Sequence, residues 1–327
     1  MSFSKVYSAQ TDLLKVRLVS VETDIDRNTL YAFAVVGLAD KAIEEARDRI
    51  SAAIKNTGFE SPKKRNHKIV ISLAPADIQK EGPHFDLAMA LSYLMANEEI
   101  EFDPEGKLFL GELSLDGKVR PIRGALPVAR FAKENGLKEL YVPMENVREA
   151  ALIDGIHIFG VPDLKTIIAN LIGHEMLDIA EKTTLDEEVV ITSTDFSDVR
   201  SQERAKRGLL IAAAGGHNVA MYGPPGTGKT MLAKAFAGIL PKLTFEEALE
   251  ATGIHSVAGT LTETFITNPP FRSPHHTASY VSLVGGGATP RPGEITLAHR
   301  GVLFMDEFPE FERRVIESLR QPLEDNV

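Results

Sequence analysis

The sequence predicts two α/β domains in series: an α+β domain over residues 1–174 and a phosphate-loop α/β domain over 198–327, joined by a linker over 175–197. Three observations predict it. Strand and helix patterns alternate along residues 13–171, as one mixed domain requires. Acidic residues then interrupt the apolar patterning. Beyond them a short apolar run leads into a glycine-rich loop and a helical pattern, the start of a second strand–loop–helix unit. A chain of 327 residues has room for two such domains.

The elements follow in order. Residues 13–21 alternate apolar and polar side chains, the pattern of a half-buried strand. Residues 30–37 form a second strand candidate ending at glycine. Asp40 caps a helix that runs through Lys55 and stops at Gly58. Residues 68–73 are rich in β-branched side chains and end at Ala74-Pro75, which marks a strand. Residues 84–95 carry an apolar stripe at helical spacing. Residues 108–115 and 118–121 flank Asp116-Gly117, a two-residue hairpin signal. A helix over 124–134, a strand over 139–142 and a helix over 162–171 complete the first domain. In the linker, Glu175, Asp178, Glu181, Asp186, Glu187 and Glu188 outnumber Lys182. A solvated connection fits that composition, as does one polar surface helix.

The second domain reads as an alanine-rich helix over 201–215, a short apolar strand over 217–222 and a helix over 229–240 ended by Pro241. Residues 259–293, rich in Gly, Pro, Thr and Ser, read as long loops or hairpins. Residues 301–305 read as a buried strand that runs into Asp306-Glu307.

Composition narrows the function classes. Hydrophobic residues make up 43% and charged residues 25%, which excludes wholesale disorder. With no cysteine there is no disulfide, no thiol nucleophile and no thiolate-held metal, and a reducing cytoplasm is compatible with that. The first residues lack an apolar core of signal-peptide length. The longest apolar runs, 31–38 and 209–214, are too short to span a bilayer. A formal charge of −10 argues against coating nucleic acid over the whole surface. It leaves open a local basic face or a ring with a basic pore.

The chemistry concentrates in Gly223-Pro224-Pro225-Gly226-Thr227-Gly228-Lys229-Thr230, which matches the phosphate-binding loop pattern without a mismatch. Gly226 and Gly228 permit backbone angles that turn successive N–H groups towards one point, and the following helix N-terminus adds to that anion cradle. Lys229 brings a positive charge to the β- and γ-phosphates, and Thr230 offers a hydroxyl to Mg²⁺. Asp306 and Glu307, at the end of an apolar strand, are the natural partners: Asp306 to hold Mg²⁺, Glu307 to polarise the attacking water. Two weaker clusters stand beside these. His275-His276 with His255 suggests a metal site, but adjacent histidines on an extended strand point to opposite sides, which favours a structural or pore-loop role. Lys63-Lys64-Arg65 reads as a solvated turn or a phosphate contact.

The loop and the acidic pair together resemble the AAA+ class. Phe271-Arg-Ser-Pro-His-His-Thr-Ala-Ser279, Gly285-Gly-Gly287 and Arg291-Pro-Gly-Glu-Ile-Thr-Leu-Ala-His299 resemble its magnesium-chelatase branch. Val35-Val-Gly-Leu-Ala-Asp40, Leu73-Ala-Pro-Ala-Asp77, Lys80-Glu-Gly-Pro83 and Gly111-Glu-Leu-Ser-Leu-Asp-Gly117 fit the YifB/ComM group within it, and the resemblance covers essentially the whole chain.

The resemblance implies an ATPase that uses ATP and Mg²⁺, with Lys229 and Glu307 catalytic and Thr230 and Asp306 at the metal. Asp198 and Val199 would line the adenine pocket. The group has Gly-Gln shortly after that valine, where this chain has Ser201-Gln202. It implies a cytoplasmic homo-oligomeric ring, a hexamer for the full-length group, with residues 259–293 projecting into its pore and no membrane partner. Its work would be DNA remodelling or branch migration in competence and recombination. Magnesium insertion into a porphyrin and a non-hydrolysing, nucleotide-dependent scaffold are the rival readings.

The first domain resembles the Lon protease domain, a relative of the ribosomal protein S5 domain 2 fold. The serine position of its Ser–Lys dyad is filled by His84 after Gly82-Pro83, and the lysine region reads Gly124-Ala-Leu-Pro-Val128, so a proteolytically inactive module is expected. Twenty residues follow Glu307. They leave no room for the class's sensor strand, arginine finger and helical lid, so the expectation is a C-terminally truncated ATPase domain that binds nucleotide weakly.

Overall fold

The computed structural model describes residues 3–12, 15–27, 29–64, 66–77, 79–184, 195–262, 264–287 and 290–320. Contacts divide the chain into two compact units, 1–184 and 185–327.

The first unit opens with a long hairpin of β1 (Phe3–Asp12) and β2 (Lys15–Asp26), Phe3 facing Asp24 at one end and Asp12 facing Lys15 at the other. β3 (Ala32–Val36), α1 (Lys41–Asn56) and β4 (Lys68–Ala74) follow. β4 inserts between β2 and β3, antiparallel to the first and parallel to the second, giving the order β1-β2-β4-β3. Strand periodicity puts Ile69, Ile71 and Leu73 on one buried face of β4, and Val19, Val21 and Ile25 of β2 join them. α1 closes that face with Ile43, Ile50 and Ile54. Its start is fixed as the sequence predicts, the Asp40 carboxylate accepting from the Ile43 N–H at 2.9 Å. α2 (Asp86–Ala96) is buried along nearly its whole length. The Arg49 guanidinium meets the buried Asp86 carboxylate in two bonds, 2.8 and 3.1 Å, and so ties α1 to α2. Burial pushes Asp86 up to about 6, whereas the same contact raises Arg49. The two-bond geometry marks the pair as ionised at neutral pH.

β5 (Lys107–Phe109), β6 (Glu112–Leu113), β7 (Val119–Arg120), α3 (Ala125–Glu134), β8 (Glu139–Pro143), α4 (Val147–Ala150), β9 (His157–Val161) and α5 (Leu164–Leu171) complete the unit. β5, β8 and β9 form a parallel sheet. Phe109, Tyr141 and Phe159 occupy matching register positions on its three strands and stack with centroids 4.9 Å apart at each step. β6 and β7 make the small hairpin around Asp116-Gly117. The run 108–115 therefore divides between two sheets instead of forming one strand. Its bend falls at Gly111, where a Cβ would collide with the Val119 side chain. β1, α4 and β9 are elements that the periodicity does not predict. Residues 177–183 lie against this unit: the Leu177 N–H donates to Asn170 Oδ1 at 2.8 Å, the Ala180 N–H to the Ile158 carbonyl at 2.8 Å and Thr183 Oγ1 to the Arg148 carbonyl at 2.7 Å. Asp186, Glu187 and Glu188 fall outside the described residues.

The second unit contains α6 (Glu203–Gly215), α7 (Lys229–Gly238), α8 (Phe245–Ala258), β10 (Phe271–Arg272), α9 (Tyr280–Val284), β11 (Gly285–Gly286), β12 (Arg291–Pro292), α10 (Glu294–Leu297), β13 (Val302–Leu303) and α11 (Arg313–Ser318). β10 pairs in parallel with β13, and β11 with β12 in an antiparallel pair. Two expectations are corrected. Residues 217–222 are extended in sequence pattern but make no strand: His217 to Ala220 are exposed and Tyr222 fully so. A strand exists only through hydrogen bonds to a neighbour, and among the described residues none lies beside this run. The run 301–305 forms strand only at Val302 and Leu303, which are half-buried instead of buried. α8 was not expected. It begins with a capping box in which Thr244 and Glu247 satisfy each other's backbone N–H groups.

Candidate nucleotide site

The site is assembled by the packing of α6 on α7. Val199, Leu209, Leu232 and Ala235 form a buried cluster flanked by Phe196, Ala205, Met221 and Phe236. Val199 is thus a core residue at the foot of α6. Asp198 closes the turn before it, its Oδ2 accepting from the Asp195 N–H at 2.8 Å and its N–H donating to the Asp195 carbonyl at 3.1 Å. The Gln202 side chain, at the start of α6, reaches the Thr227 carbonyl at 3.5 Å. Residues 198–202 therefore lie beside the phosphate loop.

The loop has the backbone its glycines permit. Gly226 and Gly228 sit at φ 78° and 82°, a region that side chains disfavour, and a Cβ at either would meet open space. Thr227 Oγ1 bonds the Pro224 carbonyl at 2.9 Å and closes the turn around Pro225. Gly228 is the cap of α7, so the first N–H groups of that helix open into the loop. Lys229 Nζ bonds the carbonyls of Gly223 at 2.8 Å and Pro224 at 2.9 Å. The ammonium is held by neutral acceptors that an anionic phosphate outcompetes.

The loop and the acidic pair, 76 residues apart in sequence, meet: Thr230 Oγ1 donates to Asp306 Oδ2 at 2.9 Å. Asp306 Oδ1 accepts from the Glu307 N–H at 3.0 Å, and Glu307 has φ 54°. Its Oε2 lies 3.1 Å from His276 Nδ1. Hydroxyl and carboxylate are hard oxygen donors of the kind Mg²⁺ takes. Among the described residues no cluster of three or more His, Asp or Glu could hold a metal alone. A cation at Thr230 and Asp306 thus fits as one completed by phosphate and water oxygens.

The sequence missed Gln202 and the His276–Glu307 contact. No spacing rule signals either, since both arise from tertiary packing. The histidine cluster is also revised. His275 and His276 lie in a turn with ring centroids 4.2 Å apart, not on opposite sides of a strand. His255 is buried and bonded to the Leu297 carbonyl and Thr260 Oγ1, both at 3.0 Å, and burial lowers its pKa. In the first unit His84 Nε2 donates to the Ala9 carbonyl at 3.0 Å, and burial lowers His84 to about 4. Lys80 Nζ bonds the Pro75 carbonyl.

A phosphate loop opening a helix, with an acidic pair at its threonine, is the arrangement of phosphate-loop nucleotide-binding proteins. Residues 195–327 match the family described as magnesium chelatase, subunit ChlI, and residues 21–146 match the family described as subunit ChlI of Mg-chelatase. Over nearly its whole length the chain is similar to YifB and ComM, and its two family matches are both of magnesium-chelatase type. It is 41% identical to the competence protein ComM of Haemophilus influenzae over 329 residues, 99% of this chain and 64% of that protein. It is 44% identical to YifB of Escherichia coli over 326 residues, 99% of this chain and 63% of YifB. Lon protease 2 of Bacillus subtilis is 35% identical over 100 residues, 30% of this chain and 18% of that protease. The chain thus spans less than two thirds of the length of ComM and YifB. Among the described residues no helix is long and apolar enough to cross a membrane.

Proposed function

We propose that the chain is the nucleotide-handling part of an ATPase that binds ATP with Mg²⁺ at Gly223–Thr230 and hydrolyses it to ADP and phosphate. The observation that carries this is the 2.9 Å contact between Thr230 and Asp306, which joins the two motifs of a phosphoryl-transfer site. Gly223, Pro224, Pro225, Gly226, Thr227 and Gly228 cradle the phosphates with backbone groups. Lys229 leaves its loop carbonyls for the β- and γ-phosphates. Thr230 and Asp306 hold Mg²⁺, which when bound neutralises charge on the phosphate oxygens. Glu307 accepts a proton from the attacking water, and Asp198 and Val199 border the adenine.

The name of the Haemophilus influenzae competence protein ComM supports a role in competence. Action on DNA by a homo-oligomeric ring in the cytoplasm, a hexamer for the full-length protein, is the further part of this proposal. In this reading the first unit is a Lon-like, S5 domain 2-type module without peptidase chemistry, because His84 stands where the dyad's serine would and no lysine stands in Gly124–Val128. Phosphate release measured with single-stranded, duplex and branched DNA tests the reading. DNA-stimulated turnover, abolished in Glu307→Gln with nucleotide binding retained, is the expected result. Turnover at the parent rate in Glu307→Gln would overturn the role of that carboxylate.

A further inference from the structure

One of the two longest apolar runs of the chain, 31–38, lies on an uncovered sheet edge. β3 is the outermost strand of the order β1-β2-β4-β3, and among the described residues no strand pairs with its outer side. In a parallel pair, alternate residues turn both N–H and C=O towards the neighbour. The Ala32 N–H donates to the His67 carbonyl at 3.2 Å, and just past the strand the Leu38 carbonyl accepts from the Lys80 N–H at 3.0 Å. The even-numbered residues therefore serve the fold, and Phe33 and Val35 turn their backbone groups outwards. Their side chains go into the core, where Phe33 is buried and Val35 packs against it. Among the described residues the Phe33 carbonyl has one distant neighbour on that side, Arg47 Nη1 at 3.5 Å.

Sheet edges are ordinarily guarded by a charge, a proline, a bulge or a covering element. Residues 31–39 contain no charged residue and no proline. The pairing runs without a bulge from Ala32 opposite Lys68 to Val36 opposite Ser72. Val36 is exposed on the strand, and Leu30 and Leu38, which flank it, are 86% and 58% exposed. An open, unguarded apolar edge is the surface that strand addition uses.

Charge at one end of the edge selects the partner. Burial raises the Tyr31 hydroxyl, and Lys63, Asp48 and Arg47 are the charges that act on it, so these groups surround the start of the run. Lys64 is exposed next to Lys63, and the exposed Lys68 stands opposite Ala32. Lys63 is bonded to Asp48 at 2.6 Å, and Asp26 faces Lys68 across β2 and β4. Cations outnumber carboxylates at this corner, on a chain whose formal charge is −10.

We propose that the edge of β3 is a docking site for an extended acidic protein segment, which adds to the sheet as a further strand and sets its carboxylates against Lys63, Lys64 and Lys68. Binding here requires no nucleotide.

Fluorescent peptides test this on the full chain. One peptide carries three glutamates followed by alternating valine and threonine, and a second has the reverse order, so that both strand directions are covered. At least one should bind tenfold or more tightly than its counterpart with lysine in place of glutamate, and the preference should shrink as salt rises. Lys63→Glu combined with Lys64→Glu, both at exposed positions, should weaken that peptide tenfold or more. N-methylation of alternate peptide residues should abolish binding in one phase and spare it in the other, because only every second residue of an added strand faces β3. In amide exchange followed by NMR, Phe33 and Val35 should exchange freely in the chain alone and become protected with peptide. Equal affinity for acidic and basic peptides, or insensitivity to N-methylation in both phases, overturns the proposal. Protection of Phe33 and Val35 that grows with protein concentration without peptide also overturns it and makes a second copy the occupant. A single-stranded oligonucleotide that binds through Lys63 and Lys64 while neither acidic peptide binds overturns it too and gives the corner to phosphates.

Discussion

Lys229 shows how much a single side chain must do. Its ammonium lies on two carbonyls of its own loop, 2.8 and 2.9 Å away, so no rearrangement of the backbone is needed before it transfers to a phosphate. Lys229→Ala removes the cation and leaves the cradle. A charge-assisted bond of about 1.5–3 kcal/mol is lost, so nucleotide affinity should fall by one to two orders of magnitude. Titration with a fluorescent ATP analogue checks this, and unchanged affinity would mean that the lysine never leaves its carbonyls. His84, at the place of a serine nucleophile in the Lon-like pattern, acts on stability instead. Burial holds it at about 4, below the ordinary 6.5, so between these values the unfolded chain binds more protons than the folded one. Its contribution is present above about pH 6.5 and is lost as pH falls towards 4. The full shift corresponds to about 3 kcal/mol, and because the residue keeps some surface we expect on the order of 2 kcal/mol. His84→Gln, which can still donate to the Ala9 carbonyl, should flatten this part of the stability profile in denaturant titrations across that range. Parallel profiles for parent and variant would show that the ring titrates freely.

α8 is the element whose start is most sharply specified. Thr244 N–H donates to Glu247 Oε2 at 2.9 Å and the Glu247 N–H returns to Thr244 Oγ1 at 3.4 Å. Thr244→Ala should cost about 1 kcal/mol and lower the melting temperature by about 3 °C, while Thr244→Ser should be nearly neutral. A melting temperature unchanged in the alanine variant would mean that the helix is held by its buried face, Ala248, Leu249 and Thr252, without help from its cap. The Thr-x-x-Glu spacing is a helix-start signal carried by local chemistry, so the start of α8 is written in the sequence. Other features were legible for plain physical reasons. The Asp40 cap, the β4 run of Ile69 and Ile71, and the Asp116-Gly117 turn are local, and local chemistry decides them. The phosphate loop was legible because glycine spacing dictates backbone angles, and Gly226 and Gly228 adopt them. The run 217–222 failed for a different reason. Its composition reports that the residues suit a sheet, but whether a neighbour lies beside them is a property of tertiary structure. His276 was invisible in the same way, since its partner Glu307 is far along the chain.

At the scale of the molecule, charge sets the conditions under which the proposed work on DNA can occur. The chain carries 36 basic against 46 acidic side chains, so one copy repels a polyanion at long range. Binding then requires basic groups gathered on one surface, as subunits arranged round a ring would gather them. Two dependences follow. Contacts to phosphates release condensed counterions, and a surface that neutralises about six phosphates should lose about a thousandfold in affinity between 50 and 200 mM salt. If the basic surface exists only in the assembled ring, affinity should also rise with ATP, and more steeply in Glu307→Gln, which keeps nucleotide bound. Anisotropy of a labelled branched DNA, read across salt with and without ATP alongside light scattering for assembly size, tests both. A steep salt slope with assembly on ATP is the outcome expected of a ring that threads or remodels DNA. Salt-sensitive binding by single subunits, indifferent to nucleotide, would place the basic surface within one chain and remove the need for a ring. Affinity that ignores both salt and nucleotide would sink the DNA role and favour a nucleotide-dependent scaffold, for which assembly on ATP without DNA binding is the diagnostic result.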